Sequence, residues 1–428
     1  MTPPPADGSA VLDRPGGLSP LEALFARGRV RGTLAMLGPA FVAAIAYVDP
    51  GNFATNVQAG AKFGYLLLWV VLAANLMAML IQYLSAKLGI VTGQNLPELC
   101  RDHYPRWVSR GLWVQAEVMA MSTDIAEFLG AALGLNLLFH VPLLPAGFIT
   151  GVIAFGILGL QRHGYRRFEL AITGLLGIIF LGFLYETLKI GPSASGSLRG
   201  TFIPHLAGGS SLYLAVGIIG ATVMPHAIYL HSALTQGRTP VRNENERRRV
   251  LRFERIDVIV ALGFAGVINL SMLAVAAKLF HTPALSGLHT IQQAHTELGH
   301  LVGGTAALAF AVALLASGAS SSSVGTYAGQ VVMGGFVGRT IPLALRRTVT
   351  MVPALVVLAL GVSPTSALVL SQVVLSFGIP FALMPLVLLT RQRDVMGAYV
   401  NTKLTSAAAI GISALIAALN VYLLVQQV

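Results

Sequence analysis

The sequence predicts an all-α polytopic membrane protein with eleven transmembrane helices. Hydrophobic residues make up 55% of its 428 residues, charged residues make up only 11%, and the mean hydropathy is +0.74. Because a soluble globular chain carries about a quarter charged residues, a soluble fold is excluded. A transmembrane helix needs roughly 20 apolar residues, so this length allows about ten to twelve spans and no large soluble domain.

Apolar runs of membrane-spanning length account for most of the chain, and we number them as the first to the eleventh span. Residues 1–33 form a cytosolic tail whose start lacks the basic and then apolar order of a cleavable signal. The single cysteine, Cys100, excludes an intramolecular disulfide. The runs fall at about 34–60, 65–90, 111–139, 143–160, 168–190, 212–235, 256–280, 299–330, 345–362, 366–390 and 404–425.

Positive charge is divided unequally between the two sides of the predicted bundle. Of the 28 Lys and Arg residues, 24 fall in the tail and in alternate loops, and a loop at 237–255 holds seven of them. Loops rich in Lys and Arg stay in the cytosol, which places the N-terminus inside and, with eleven spans, the C-terminus outside. The net charge of +11 therefore indicates topology and not a nucleic-acid partner. We expect the 237–255 loop to lie near anionic lipid.

Proline interrupts two spans in their middle. The first span reads Asp-Pro-Gly-Asn at 49–52, and the sixth reads Met-Pro-His at 224–226. Pro50 and Pro225 each remove a backbone donor, and Gly51 adds torsional freedom, so each span should unwind into two half-helices. Irregular backbone at membrane depth is tolerated only in protein or around a cavity, which indicates a binding site. The alternative is that each proline only kinks an intact helix.

The two breaks lie five spans apart, and an odd offset inverts one copy relative to the other. This favours a five-plus-five inverted-repeat transporter with its substrate site between the breaks at the membrane midplane. Residues 34–190 would form the first repeat, residues 212–390 the second, and residues 404–425 an additional eleventh span.

The residues at the breaks can bind a cation. An ionised Asp49 near the bilayer centre needs a cationic partner or a proton. With the amide oxygen of Asn52, freed carbonyls near Ala46 and Ala221, and the thioether of Met224, it would form a mixed hard and soft shell. Oxygen ligands alone suit Mg²⁺ or Ca²⁺, whereas a thioether favours Mn²⁺, Fe²⁺, Co²⁺ or Cd²⁺. The alternative for Met224 is simple packing between helices.

Three acidic residues of the third span share one helix face. Glu117, Asp124 and Glu127 lie within about 80° of one another around the helix axis. Arg346 and Arg347 begin the ninth span and can pair with the lower acids. Such a row of buried carboxylates predicts a proton relay. The alternative is a structural ion-pair network that holds the two helices together.

Two histidines and two amides are further candidates. On a continuous helix His226 would point about 200° away from Met224, so we assign it to gating or proton handling and not to direct metal binding. His231 is a candidate for a ligand or proton role. Asn75 and Asn269, at mid-membrane, are expected to hold water or cap broken helix ends, unless they only bridge helices.

These motifs carry a family resemblance. Asp-Pro-Gly-Asn at 49–52 and Met-Pro-His at 224–226 resemble the paired signatures of the Nramp family of proton-coupled divalent-metal transporters, bacterial importers among them. Residues 325–333 resemble the segment that follows the eighth span in that family. The resemblance extends from about Leu37 to the end of the last span. It implies a leucine-transporter-type fold with broken first and sixth helices.

The resemblance also implies a function. It implies a secondary active transporter that imports Mn²⁺ or Fe²⁺, with Co²⁺ and Cd²⁺ in the same class, by alternating access coupled to protons. The acidic face of the third span would be the proton route. Relatives that carry Mg²⁺ or aluminium lack the methionine. The implied ligands are the side chains of Asp49, Asn52 and Met224, the carbonyls of Ala46 and Ala221, and, in some conformations, Gln372 of the tenth span.

Two other functions fit the sequence less well. A sodium-coupled amino-acid carrier could use the same scaffold, but a fixed Asp49 would repel the substrate carboxylate. An intramembrane hydrolase would need paired catalytic groups, and a two-histidine zinc motif is absent from the sequence. We therefore expect no enzyme activity, no cofactor and no obligate protein partner. The partners are divalent metal ions, protons and the lipid of the inner cell membrane.

Overall fold

The computed structural model is helical throughout its regular parts and describes residues 26, 28, 36–161, 165–285, 288–339 and 341–427. The predicted tail, residues 1–33, lies almost entirely outside the described residues. Within them, eight helical stretches are long and apolar enough to cross a membrane. The shorter apolar stretches Pro39–Val48 and Leu143–Ile157 add to these.

Each of the eleven predicted spans is helical in the described part of the chain. The first span consists of Pro39–Ile45, one 3-10 turn at Ala46–Val48, and Pro50–Phe63. The sixth consists of Gly209–Thr222 and Pro225–Thr235. The remaining spans are Leu68–Thr92, Arg106–Phe139, Leu143–Gln161, Tyr165–Ile190, Glu244–Phe280, Gly304–Val337, Leu343–Ala359, Pro364–Thr390 and Lys403–Gln427.

Short helices connect several spans. Local sequence starts three of them, because the side chain of the residue before each helix accepts a hydrogen bond from a backbone N–H of its first turn. Asn95, Ser193 and Thr290 are these capping residues. The helices are Leu96–His103, Ala194–Phe202 and Ile291–Leu301, with a single turn at Arg393–Met396.

The prediction of an arginine-rich loop at 237–255 was wrong. The seventh span begins at Glu244 and continues without interruption for 37 residues to Phe280. Asn243 caps its start by accepting a hydrogen bond from the backbone N–H of Glu246 at 2.9 Å. Glu and Arg are good helix formers, so the helix extends well beyond its apolar part.

The third and eighth spans pack closely along their length. A β-carbon added at Gly318 would lie 2.5 Å from the backbone nitrogen of Ala131, and one at Gly134 would lie 2.8 Å from the backbone of Leu315. Small residues let two membrane helices approach until their backbones touch. The eighth span therefore presses against the third, which carries the predicted acidic face.

One end of the bundle is rich in arginine, and we call it the basic end. It contains Arg101, Arg166 and Arg238. Arg101 donates to the carbonyl of Gly335 at 2.9 Å, and Arg166 donates to the carbonyl of Leu37 at 3.1 Å. These contacts tie the short helix Leu96–His103 to the end of the eighth span, and the start of the fifth span to the start of the first.

The other end, which we call the opposite end, is closed by different contacts. Gln58 donates to the carbonyl of His289 at 2.8 Å, and Trp69 donates to the carbonyl of His205 at 3.1 Å. His281, at the end of the seventh span, lies with its Nδ1 atom 3.1 Å from the carbonyl oxygen of Ala61 in the first span. The second half of the first span is thus held against the connecting segments.

Candidate metal site

The break in the first span lies at Asp49. After the 3-10 turn the backbone of Asp49 is extended, with φ −77° and ψ 169°, and Pro50 starts the next half-helix. The Asp49 carboxylate caps this half-helix, because its Oδ1 atom accepts from the backbone N–H of Asn52 at 2.8 Å. The positive end of a helix dipole thus faces the carboxylate.

The break in the sixth span lies at Val223 and Met224. Val223 has φ −104° and ψ 69°, Met224 has φ −72° and ψ 125°, and Pro225 is the first residue of the second half-helix. Met224 is fully buried. Both breaks therefore have the same local plan, in which an extended residue precedes a proline that starts a helix.

Asn52 joins the two breaks. Its Nδ2 atom donates to Asp49 Oδ1 at 2.8 Å and to the carbonyl oxygen of Ala221 at 3.0 Å. Ala221 lies just before the break in the sixth span. The structure thus brings predicted ligands of the two broken helices together around one amide.

The tenth span reaches the same carboxylate. Gln372 Nε2 donates to Asp49 Oδ2 at 3.1 Å. A β-carbon at Gly51 would lie 1.8 Å from that nitrogen, so only glycine leaves room for the Gln372 amide. The predicted role of Gly51 in torsional freedom was wrong, because Gly51 has ordinary helical backbone within Pro50–Phe63. Its role is close approach.

Side chains from two further spans hold the unwound turn of the first span. Asn269 Nδ2 donates to the carbonyl of Tyr47 at 2.7 Å, and Ser317 Oγ donates to the carbonyl of Val48 at 2.5 Å. Asn56 Nδ2 donates to Asn269 Oδ1 at 3.0 Å. Carbonyls that lost their helical partners are thus satisfied by the seventh and eighth spans, and Asn269 lies where the sequence predicted a cap.

The site is closed to solvent and keeps acceptors available. Asp49, Asn52, Met224 and Gln372 are each 0% exposed. Asn52 Oδ1 and Gln372 Oε1 are buried and accept no hydrogen bond from any described residue. No cluster of three or more His, Cys, Asp or Glu side chains that could hold a metal occurs within the described ranges. The described breaks therefore present the Asp49 carboxylate and two amide oxygens without a hydrogen-bond donor, and Met224 is buried at the sixth-span break.

Arg346 pairs with the first acid of the third span. Arg346 Nη2 lies 2.7 Å from Glu117 Oε2, and its Nη1 atom lies 3.3 Å from Glu117 Oε1. Trp113 Nε1 also donates to Glu117, at 3.2 Å. The neighbouring Arg347 donates to Thr326 Oγ1 at 2.7 Å and lies 3.9 Å from Asp124 Oδ1. The two arginines thus contact different acids of the same face.

Two glycines of the eighth span make room for these charged groups. A β-carbon at Gly325 would lie 2.4 Å from Glu127 Oε2 and 3.2 Å from Asp124 Oδ1, and one at Gly329 would lie 2.1 Å from Arg346 Nη2. Both carboxylates therefore meet at Gly325. The prediction that residues 325–333 follow the eighth span was wrong, because they lie inside Gly304–Val337. The glycines of this segment leave space for side chains of neighbouring helices, and the helix continues through them.

His226 and Asn75 take separate positions. His226 is buried just after the sixth-span break, and its Nδ1 atom lies 3.2 Å from Thr123 Oγ1 in the third span. His226 therefore links the sixth span, just after its break, to the residue of the third span that precedes Asp124. Asn75 is 6% exposed, and its amide nitrogen would lie 2.4 Å from a β-carbon at Gly266. Asn75 therefore packs against the seventh span.

A polar chain that the sequence analysis missed extends from the first break toward the basic end. Gln82 donates to the hydroxyl of Tyr47, and Gln82 Oε1 lies 2.8 Å from His231 Nδ1. His231 Nε2 lies 3.0 Å from Glu254 Oε1. His231 was predicted as a candidate, but its partners were not. An amide within the second span and an acid just before the predicted seventh span were the available signals.

Buried acids also hold the start of the first span. Asp257 Oδ2 accepts from the backbone N–H groups of Gly38 at 3.1 Å and Ala40 at 3.0 Å. Glu169, 1% exposed, pairs with Arg166 at 2.9 Å and with Arg238. These two acids were not among the predicted site residues. Asp257 was visible as a carboxylate inside the predicted seventh span, and Glu169 as a carboxylate at the start of the predicted fifth span.

A family model described as "Nramp: Natural resistance-associated macrophage protein-like" matches residues 40–426. The chain belongs to the Nramp family. The resemblance inferred from its two broken-helix motifs is thereby confirmed.

Curated Nramp relatives match nearly the whole chain. A "Divalent metal cation transporter MntH" of Bacillus subtilis (strain 168) is 53% identical over 395 residues, which cover 92% of this chain and 93% of the relative. A protein of the same name from Deinococcus radiodurans is 54% identical over 395 residues, covering 92% of this chain and 90% of the relative.

Solved structures support the Nramp fold. The Eremococcus coleocola manganese transporter in complex with an aromatic bis-isothiourea substituted compound is 31% identical, with a TM-score of 0.84, covering 97% of this chain and 89% of that one. The transporters Mhp1 and MhsT, at 16% and 12% identity and TM-scores of 0.59 and 0.61, show the fold alone. The predicted fold class, an all-α leucine-transporter-type bundle with broken first and sixth helices, is confirmed.

Proposed function

We propose that this chain is a secondary transporter that carries divalent metal ions, with Mn²⁺ as a substrate and Fe²⁺, Co²⁺ and Cd²⁺ in the same class, and that protons move with the metal. One observation carries the proposal. Asn52 donates hydrogen bonds to both the Asp49 carboxylate and the carbonyl of Ala221, so the two broken helices bring their proposed metal ligands together in one buried place. The names of the Nramp relatives support the same substrate class.

The proposed ligands combine hard and soft donors. Asp49 supplies the negative charge, and Asn52 and Gln372 supply amide oxygens that accept no other hydrogen bond within the described residues. The Met224 thioether disfavours Mg²⁺ and Ca²⁺, which prefer oxygen. The carbonyls of Ala46 and Ala221 complete the proposed shell. A Met224 thioether that only packs against its neighbours is the alternative.

The proposed proton route leaves the metal site along the third span. Asp49 would exchange its proton with the carboxylates that meet at Gly325, which are those of Glu127 and Asp124. The route continues toward the basic end, and His226 borders it through Thr123. Buried carboxylates in such a row can pass a proton from one to the next. In the alternative, each acid is fixed in an ion pair with an arginine, and the pairs only hold the two helices together. The remaining charged members of the row are Glu117, Arg346 and Arg347.

We place the basic end in the cytosol and the protein in the inner cell membrane, with the C-terminus outside. The excess of Lys and Arg at that end supports this orientation. Metal would enter from the opposite end and leave at the basic end as the two ends open in turn. Residues 34–190 and 212–390 would act as the paired repeats, with residues 404–425 as an added span.

A sodium-coupled amino-acid carrier on the same scaffold is the weaker proposal. The likeness of this chain to MhsT shows the shared fold alone. A substrate carboxylate would have to approach Asp49, which already faces a helix N-terminus and accepts the amide of Gln372. An enzyme is also disfavoured, because the family is one of metal ion transporters and the described broken helices present ligands without a paired nucleophile and base.

Selectivity tests the ligand set. Met224→Ala removes the soft donor and leaves only oxygen ligands, so Mn²⁺ uptake into proteoliposomes should lose its resistance to excess Ca²⁺. The matched control is Met396→Ala, since Met396 is also buried but lies in the segment between the tenth and eleventh spans. Uptake of Mn²⁺ with and without excess Ca²⁺ or Mg²⁺ is measured for the three proteins. Equal selectivity in Met224→Ala and the unchanged protein would contradict the assignment.

The proton route needs a separate measurement. Asp124→Asn keeps the shape of the side chain but cannot take up and release a proton. We expect Mn²⁺ uptake to continue more slowly while the acidification inside the vesicles that accompanies it is lost. Asp102→Asn, an exposed acid at the basic end, is the control. A ratio of protons to metal that is the same in Asp124→Asn and the unchanged protein would contradict the relay.

A further inference from the structure

The tenth span carries an internal proline close to the proposed metal site. Pro380 lies inside the helix Pro364–Thr390. Proline has no backbone N–H, so the carbonyl one helical turn earlier, that of Ser376, loses its helical hydrogen bond. In an apolar environment such a carbonyl needs another donor.

Asn420 of the eleventh span supplies that donor. Asn420 Nδ2 donates to the carbonyl oxygen of Ser376 at 2.9 Å, and Ser376 Oγ donates to Asn420 Oδ1 at 2.8 Å. Ser376 is 0% exposed and Asn420 is 4% exposed. The next residue, Val421, is 60% exposed, so Asn420 is a polar side chain turned inward from a helix with an exposed apolar face. The amide matches the freed carbonyl and the hydroxyl at once.

Ser376 lies one helical turn from Gln372. The backbone between them is already pressed by the sixth span, because a β-carbon at Gly220 would lie 1.9 Å from the carbonyl oxygen of Gln372 and 3.0 Å from the nitrogen of Ser376. Gly51 packs as closely against the Gln372 side chain. A well-packed backbone cannot shift at Ser376 without moving Gln372.

We propose that Asn420 is a positioning residue for metal transport: by holding the freed Ser376 carbonyl, it fixes the part of the tenth span that brings the Gln372 amide to Asp49. The inference rests on the proposed function, because Gln372 must be a ligand for its position to matter. It gives the eleventh span, which lies outside the proposed paired repeats, a defined part in substrate binding.

The test uses the full-length protein and compares single and double variants. Asn420→Leu keeps the branched shape of the side chain and removes both hydrogen bonds, and we expect the KM for Mn²⁺ to rise about tenfold, the effect of one lost ligand contact. Ser376→Ala removes only the hydroxyl and leaves the Asn420 bond to the carbonyl, so its KM should change by less than about threefold by the same relation. Ser413→Ala, another buried polar residue of the eleventh span, is the control.

The double variant separates positioning from general loosening. If Asn420 acts through Gln372, then adding Asn420→Leu to Gln372→Ala should raise KM no further. Should Asn420→Leu fail to fold, Asn420→Ala takes its place, with Mn²⁺ binding to the purified protein measured by calorimetry. Additive effects of the two substitutions, or an unchanged KM in the single Asn420 variant, would overturn the inference.

The outcomes also distinguish this inference from the proposed function. Mn²⁺ uptake that is impaired by Gln372→Ala but not by Asn420→Leu overturns the inference and leaves the proposed function standing. Vesicles with the unchanged protein that take up no Mn²⁺ would overturn both.

Discussion

At the scale of single residues, the site depends on places where a side chain is missing. Gly51 admits the Gln372 amide, and Gly325 admits two carboxylates. Gly130 of the third span is a third case, because a β-carbon there would lie 2.0 Å from Pro50 Cβ and 2.1 Å from Pro50 Cγ. The proline that starts the second half-helix therefore packs directly against the backbone of the third span.

This close contact between Pro50 and Gly130 predicts the effect of one added methyl group. Gly130→Ala should push Pro50 away from the third span and displace the break, since overpacking a closely packed contact costs about 1–3 kcal/mol. We expect Mn²⁺ uptake to fall at least about tenfold, because small displacements of binding groups lower activity steeply. Uptake into proteoliposomes and thermal stability in detergent are measured together.

Gly111→Ala is the matched control, because it lies in the same helix and its β-carbon would meet nothing within 4 Å. It should transport normally and be slightly more stable, as alanine is the better helix former. Normal Mn²⁺ uptake in Gly130→Ala would show that the close contact between Pro50 and Gly130 is not needed for transport.

Candidate site residues could be chosen from the sequence where a residue breaks a pattern. Asp49 and Asp124 stood out because they are charged residues at mid-membrane. Met224 stood out because it is a sulfur-containing residue next to a proline at the same depth. The role of Gly51 could not be predicted correctly, since close approach by Gln372 depends on a span far away in the sequence. Asn420 was visible as an amide in an apolar run, but its partner carbonyl is freed by a proline in another helix.

At the scale of elements, the half-helix Pro39–Ile45 is too short to be stable alone, since isolated helices of that length are marginal. Asp257 of the seventh span accepts hydrogen bonds from backbone N–H groups at its start. Asn269 of the same span donates to the Tyr47 carbonyl just beyond its last turn. One helix therefore fixes both ends of the other.

Loss of the Asp257 cap should release the start of this half-helix. Because a helix cap contributes about 1 kcal/mol, Asp257→Ala should make backbone hydrogen exchange at residues 38–45 roughly fivefold faster. Exchange is measured by mass spectrometry on the protein in nanodiscs. Asp257→Asn, which keeps an acceptor oxygen, should show a smaller increase.

Asp394→Ala, an exposed acid between the tenth and eleventh spans, should leave exchange at residues 38–45 unchanged. If Asp257→Ala exchanged no faster than this control, the cap would not stabilise the half-helix.

At the scale of the whole molecule, the bundle could be predicted because each span is long and apolar. The eleven spans and both breaks lie where hydropathy and proline placed them. The continuous start of the seventh span was missed, since a hydropathy run ends where the apolar residues end although the helix does not. Long-range pairs such as Glu254 with His231 needed the packed structure.

The orientation of the molecule has its own prediction. In a Cys100→Ser background, which removes the buried free cysteine, Asp394→Cys should react with a membrane-impermeant thiol reagent only in inside-out vesicles, and Leu198→Cys only in right-side-out ones. Both positions are exposed, Leu198 by 61%. The excess of positive charge at the basic end is the physical reason. The reverse labelling pattern would contradict the proposed orientation.

The length of the seventh span has a mechanical consequence. Its 37 residues measure about 55 Å at ~1.5 Å per residue, well over the roughly 30 Å thickness of the hydrocarbon layer. It contacts the first span at three depths, through Asp257 at Gly38, through Asn269 at Tyr47, and just past its end through His281 at Ala61. If either half of the broken first span tilts, the seventh span must therefore move with it, or one of these three contacts must break.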